Sequence, residues 1–187
     1  MDDRLTRTDW IDHGLRTLAT EGANALKVSA MAAKLNVSRG SFYWHFKDIG
    51  DFRAQLLQSW LERTTEEVIR RLEAGETGPH RLRSLLNGAF IQKPALDRAA
   101  CPWAAEDAIR AWATAETEVA AMVASVDGRR IAYIAELLIA SGVAPGTAQG
   151  RAAFLYWAYL GQAIVMDRRH ASLPAEAIEA IAVLFET

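Results

Sequence analysis

Apolar residues recur along this chain at the three- and four-residue spacing of helices, and no stretch alternates as a strand would. Ile11, Leu15, Leu18 and Ala19 form one stripe, which predicts a helix over 8–20 capped by Thr8 and stopped at Gly22. Between Val28 and Lys47 the pattern predicts two short helices around a tight turn. Met31, Leu35, Val37, Phe42 and Phe46 supply their packing face, Ala32 keeps the crossing small, and Asn36 stands where a left-handed corner is wanted. Ser38 is the expected cap of the second of these helices, its hydroxyl accepting from the Gly40 or Ser41 amide. Phe52, Leu56, Leu57, Trp60, Leu61, Thr64, Val68 and Leu72 then make a long stripe over 48–72, with Asp48 and Asp51 at its start spaced as a capping box. Beyond a breaker at 74–79, helices are expected near 80–92, 103–114, 116–142, 147–168 and 174–186. Pro94, Pro102, Pro145 and Pro174 punctuate them, and Gly128 is a point where 116–142 could divide. The fold class is all-α, with a three-helix helix-turn-helix unit over 1–50 and a larger helical domain over 51–187.

The short helix after Ser38 is the part with chemistry to explain. Phe42 and Phe46 lie four apart and share one face, so Arg39, Gly40, Tyr43, Trp44 and Lys47 occupy the other. A plain helical hairpin would have to bury Phe, Tyr, Trp, His and Phe together, leaving so short a helix no exposed face. An exposed face of arginine, tyrosine, tryptophan and lysine suits the major groove of DNA. Charge agrees once it is divided. The whole chain carries −2, but residues 1–47 hold seven basic and five acidic residues and the remainder 14 and 18. The cationic surplus is therefore confined to the end that holds the motif.

Residues from about Thr8 to Leu57, and SRGSFYWHFKD above all, resemble the DNA-binding domain of TetR-family transcriptional regulators. That resemblance implies a homodimeric, all-helical repressor whose larger C-terminal part dimerises and binds a small molecule. Residue by residue it implies DNA contacts from Lys27, Ser38, Arg39, Gly40, Ser41, Tyr43, Trp44, His45 and Lys47. Of these, Tyr43, His45 and Lys47 are expected on phosphates, and Arg39 and Trp44 on bases. The chain departs from the family pattern twice. Lys27 stands where a capping Thr or Ser is usual, and Asp48-Ile49-Gly50-Asp51-Phe52 replaces the usual acidic-then-Leu run. Gly50 weakens the start of the following helix by about 0.5–1 kcal/mol relative to Ala, and is the expected hinge of a switch carried by that helix.

The C-terminal half suggests two further surfaces. Residues 147–168 are apolar nearly all round, which predicts full burial, and a twofold partner donating the same helix is the simplest way to bury both sides. Phe154, Trp157, Ala158, Gly161, Val165, Ile178, Ile181 and Phe185 are the expected dimer interface. Phe90, Trp103, Trp112, Met122, Tyr133 and Tyr156 are the candidates for lining a pocket for an apolar or aromatic effector, with the two tyrosine hydroxyls orienting it. The four histidines are scattered, Cys101 is the single cysteine, and no phosphate loop, HExxH or metal-spaced set occurs, so neither an enzyme nor a cofactor is expected. The lone cysteine and an apolar run of 15 residues, too short for the roughly 20 that span a bilayer, suit a cytosolic protein without a membrane segment. The expected partners are double-stranded operator DNA, a small-molecule effector and a second copy of the chain. The rival reading is a DNA-bound protein on the same scaffold that meets a protein partner and no effector.

Overall fold

The computed structural model describes residues 5–75, 79–90, 105–162 and 173–186, whose regular structure is helical with no strand among them. They form two compact units. The first comprises 1–66 and 97–124, and the second 67–96 and 125–187.

The first unit is built on α1, Arg7–Glu21. Thr6 caps it, not Thr8. The Thr6 hydroxyl accepts from the Asp9 amide at 3.2 Å while the Asp9 carboxylate accepts from the Thr6 amide at 2.7 Å, a reciprocal box that starts the helix earlier than its apolar stripe does. The hydrogen bonds from Thr6 hold the Asp9 carboxyl below its ordinary value. α2 (Val28–Lys34) ends at Asn36, whose φ of 55° is the left-handed corner. The Asn36 amide donates to the Ala33 carbonyl and the Val37 amide to the Ala32 carbonyl, the double closure of a Schellman turn. α3 (Arg39–Tyr43) begins at Ser38, but the Ser38 side chain makes no capping bond. Its backbone carbonyl takes the Ser41 amide instead.

α4 (Ile49–Leu61) opens with Asp48 accepting from the Asp51 amide, while the Asp51 carboxylate reaches back one residue further than a capping box would, to the Lys47 amide. The helix then continues through a π-helical turn, Glu62–Glu66, into α5, Glu67–Gly75. Gly50 lies in the regular first turn, so the irregularity of this long helix is at the π turn and not at the glycine. Thr64 and Thr65 are buried there, and the Thr64 hydroxyl donates to the Trp60 carbonyl.

α1 lies against α4, and Gly14 is where they meet. A Cβ at Gly14 would fall 2.5 Å from Phe52 Cζ and 2.7 Å from Leu56 Cδ1. α7 (Glu106–Ala113) packs on α1 and on the single 3-10 turn that follows it. Buried Glu106 accepts from Trp60 Nε1 at 3.1 Å and from Arg110, and the Arg53 guanidinium stands 5.4 Å over the Trp112 ring. Two polar ties therefore fasten α7 to α4.

The second unit contains α5, α6 (Pro79–Phe90), the later part of α8 (Thr117–Ala140), α9 (Pro145–Gly161) and α10 (Ala175–Glu186). α8 runs unbroken through Gly128. The core joins Ile69, Leu82, Leu86, Tyr133, Leu137, Leu138, Ala148, Ala152, Leu155, Ile178 and Ala182. Within a single chain α9 buries one face only. Ala148, Ala152, Leu155 and Tyr156 face the core, while Phe154 is 58% and Trp157 64% exposed and Ala158 is exposed beside them.

Candidate nucleic-acid interface

α3 is only five residues long, too short to hold its own shape, so its position is set by what its inner face packs against. Phe42 and Phe46 are fully buried. Phe42 meets Trp10 edge-on at 5.3 Å, Phe46 at 5.0 Å and Phe52 at 5.4 Å, so rings from α1, α3, the turn after it and α4 form one cluster. Each such pair is worth about 0.5–1.5 kcal/mol beyond its buried area. The inner face thereby dictates the outer one: Tyr43 is 58% and Trp44 86% exposed.

Most of the other residues singled out from the sequence are exposed as well. Ser38, Arg39, Gly40 and Lys47 are exposed and Ser41 is half-buried. Lys27, at the start of α2, is exposed and makes no capping bond. α3 and the residues after it therefore expose aromatic and cationic side chains together with the backbone amides at the start of the helix. They offer point charges and N–H donors to phosphates, and an apolar edge to bases.

His45 differs from the rest. Its ring is half-buried, and Nε2 is 2.8 Å from the Leu5 carbonyl, 40 residues away in sequence. Arg7 closes the contact from the other side, its Nη2 donating to the His45 carbonyl at 3.0 Å and its guanidinium standing 5.7 Å over the Phe46 ring. Arg7 and Leu5 carry no local sequence signal for this role, because the contact pairs residues that share no helix or turn.

The residues assigned to the other two surfaces are distributed unequally. Trp112 and Met122 belong to the first unit, where Trp112 is buried, and Tyr133 and Tyr156 belong to the core of the second. The Tyr156 hydroxyl donates to Asp127 at 2.7 Å and accepts from Arg130 at 3.2 Å. Among the described residues the buried Tyr133 hydroxyl has no hydrogen-bond partner. Trp103, Val165 and the Phe90 side chain lie outside the described residues. Of the expected interface, Phe154, Trp157 and Ala158 are exposed and Gly161, Ile181 and Phe185 half-buried, with Phe185 stacked on Phe154 at 6.0 Å. Ile178 is a correction: it is 2% exposed and packs in the core of its own chain, because it faces inward from α10. Val183 and Leu184, 51% and 71% exposed, are the outward residues of that helix, and its simple apolar count did not separate the two faces.

Among the described residues no group of His, Cys, Asp or Glu could hold a metal ion, and no helix is long and apolar enough to cross a membrane.

A helix-turn-helix with a basic, aromatic outer face defines a DNA-binding regulator. Comparison narrows the class. Residues 11–56 match the family model described as bacterial regulatory proteins, tetR family. A Rhodococcus protein described as a TetR-family transcriptional regulator shares the fold with a TM-score of 0.70 at 19% identity, over 96% of each chain. A transcriptional regulator from Saccharomonospora viridis, solved in complex with choline, gives 0.69 at 16% identity over 96% of this chain and 94% of that one. A Clostridium perfringens protein described as a fatty acid metabolism regulator gives 0.68 at 17% over 94% and 95%. No curated protein matches the chain. Residues 11–56 thus match a TetR-family DNA-binding domain, and the chain as a whole shares its fold with solved regulators of that description.

Proposed function

We propose that the chain is a homodimeric, cytoplasmic repressor that releases its operator when a small molecule binds, with residues 1–50 reading DNA and 51–187 binding the effector and dimerising. The observation that carries this reading is the exposure of Tyr43 and Trp44, together with that of Arg39, Lys47 and Lys27, while Phe42 and Phe46 anchor α3 from inside. Large exposed aromatics on a surface that also holds cations are what DNA can cover. Arg39 and Trp44 face bases, Tyr43 and Lys47 face phosphates, and Ser38, Gly40 and Ser41 line the approach of the backbone.

Dimerisation is supported by the outer face of α9 and α10, where Phe154, Trp157, Val183 and Leu184 lie exposed. Residues 152–162 contain no charge to keep that face solvated. Two reading heads would then meet half-sites about 34–36 Å apart. An effector is supported by the Tyr133 hydroxyl, unpartnered among the described residues and buried in the second unit where a polar atom of a ligand would satisfy it. The choline held by the Saccharomonospora protein supports a small-molecule site on this fold. The ligand class remains an apolar or aromatic molecule with one orienting polar group.

The test is selection of duplexes from a random-sequence pool, followed by light scattering and by titration with a panel of small apolar compounds. Enrichment of a palindromic site, a dimeric mass and loss of binding with one compound class are expected. Failure to enrich any duplex would overturn the reading.

A further inference from the structure

We infer that His45 is a positioning residue and not a phosphate ligand: with Arg7 it clasps the start of α1 to the end of the recognition helix. This inference rests on the DNA-binding reading and gives one residue of that face a different role.

The geometry is reciprocal. The Leu5 carbonyl can only accept, so the His45 nitrogen facing it at 2.8 Å is the protonated Nε2. Arg7, two residues on, returns a bond from Nη2 to the His45 carbonyl at 3.0 Å, and its guanidinium covers the Phe46 ring. The ring edge that would point at a phosphate is thus already committed, and the ring is half-buried. Tyr43, Trp44 and Lys47, by contrast, are exposed.

The contact has a mechanical consequence. α3 is a single short turn of helix whose inner anchors, Phe42 and Phe46, fix how deep it sits. Packed rings leave a short helix freedom to slide or rotate in its groove, whereas directional bonds at one end do not. The clasp supplies those bonds at the end that carries Trp44 and Lys47. The Thr6–Asp9 capping box makes the other side of the clasp rigid, since it fixes the first turn of α1 from which Arg7 projects. α1 in turn is the helix on which α7 packs. A displacement of α1 would therefore reach Trp44 and Lys47 through His45, independently of α4.

Three readouts test this on the full chain, with a duplex enriched from a random pool as the probe. In imidazole 15N–1H spectra of the free protein, the His45 Nε2-bound proton should exchange slowly with water and persist when duplex is added. His45→Ala should weaken binding about 3- to 10-fold, the span of one net hydrogen bond, with the salt slope unchanged. His45→Gln, whose amide N–H reaches about as far as Nε2, should bind within about 2-fold of the parent. Duplexes carrying a neutral methylphosphonate at each position in turn should all show the same His45→Ala loss. A phosphate ligand would behave oppositely: no protected proton without DNA, and a loss that vanishes at one methylphosphonate position. Either result overturns the proposal. The parent spectra and the Gln variant decide the matter even if His45→Ala is too unstable to purify. If no duplex is enriched, the DNA-binding reading fails, while the imidazole proton still reports whether the clasp exists.

Discussion

The molecule exposes large aromatic side chains on two surfaces, and the two differ in what accompanies them. On α3, Tyr43 and Trp44 stand with Arg39 and Lys47 close in sequence and Lys27 at the start of the preceding helix. On α9 and α10, Phe154 and Trp157 stand with Ala158, Val183 and Leu184, in a run of α9 without a single charge. Exposure is similar at Tyr43 (58%), Phe154 (58%) and Trp157 (64%), so burial alone cannot separate the surfaces. Their neighbours do. An aromatic among cations is suited to a polyanion, where charge brings the partner in and the ring reads its surface. An aromatic among aliphatics gains only by leaving water, and its best partner is another surface of the same kind. Breaking either surface should leave the other intact, which makes the contrast testable.

The largest effect is expected from a charge on the second surface. Ala158→Arg would place a guanidinium in a face that the proposed dimer makes dry. Light scattering should report a monomer. Affinity for a two-half-site duplex should fall by about 10²–10⁴, the avidity lost when one head binds alone, while affinity for a single half-site stays unchanged. An intact dimer, or equal losses on half-site and full site, would show that the partner face lies elsewhere.

Next comes the scaffold behind the first surface. Gly14→Ala should cost about 1–3 kcal/mol, the range for overpacking a closed contact, because the new methyl would meet the Phe52 and Leu56 side chains. Gly161→Ala is its counterpart, since among the described residues nothing beyond its own helix backbone and chain neighbours lies within 4 Å of the Cβ it would add. Denaturation of a dilute, monomeric sample should show the first loss and not the second. If Gly161→Ala weakens assembly without weakening the monomer, it marks the dimer contact directly.

Within the first surface the cations should divide by role. Lys47→Ala should weaken all duplexes alike and flatten the salt slope by about one unit. Arg39→Ala should cost about 1–3 kcal/mol at one base position and relax specificity there. Titrations on the selected site and its single-base variants separate the two, and equal losses everywhere for both variants would refute the assignment.

Much of this was legible in the sequence because it depends on local spacing. The helical class, the Asn36 corner and the inner face of Phe42 and Phe46 all follow from residues within four positions of one another. Caps were less legible: Thr6 and Thr8 are equally good capping residues, and only the Asp9 carboxylate at the right offset favours Thr6. Faces of uniformly apolar helices were least legible. Ile178 and Val183 have the same character, and only the packing of α10 tells that one is core and the other outward. The His45 clasp was not legible at all, since it joins residues 40 apart. Nor was the π turn, which places an irregularity in the long helix where the apolar stripe runs on undisturbed.

The smallest expected effect sets the two units against each other on the pH scale. In the first, burial lowers the His13 pKa below its ordinary value of 6.5, and Nε2 has no hydrogen-bond partner among the described residues. The neighbouring Arg16 and Lys34 push the same way and Glu21 opposes them. The folded state therefore resists the proton that the unfolded chain accepts, so His13 contributes stability that is present above pH 6.5 and lost as pH falls through the lowered folded value. In the second, burial raises the Tyr133 pKa above 10. Here the folded state holds the proton that the unfolded chain releases, so the contribution is present below pH 10 and lost as pH rises through the folded value. Acid should thus weaken the DNA-reading unit first and alkali the other. Asp9, held low by its bonds from Thr6, acts on the acid side as well, but only below 3.8, so it does not obscure the histidine. Urea midpoints measured between pH 5 and 8 should fall on acidification in the parent and fall less in His13→Leu. Midpoints measured between pH 9 and 11 should fall on the alkaline side in the parent and fall less in Tyr133→Phe. A parent whose midpoint is flat from pH 8 to 5, or a His13→Leu variant with the same acid slope as the parent, would show that His13 is solvated in the folded state and that the two units share their pH limits.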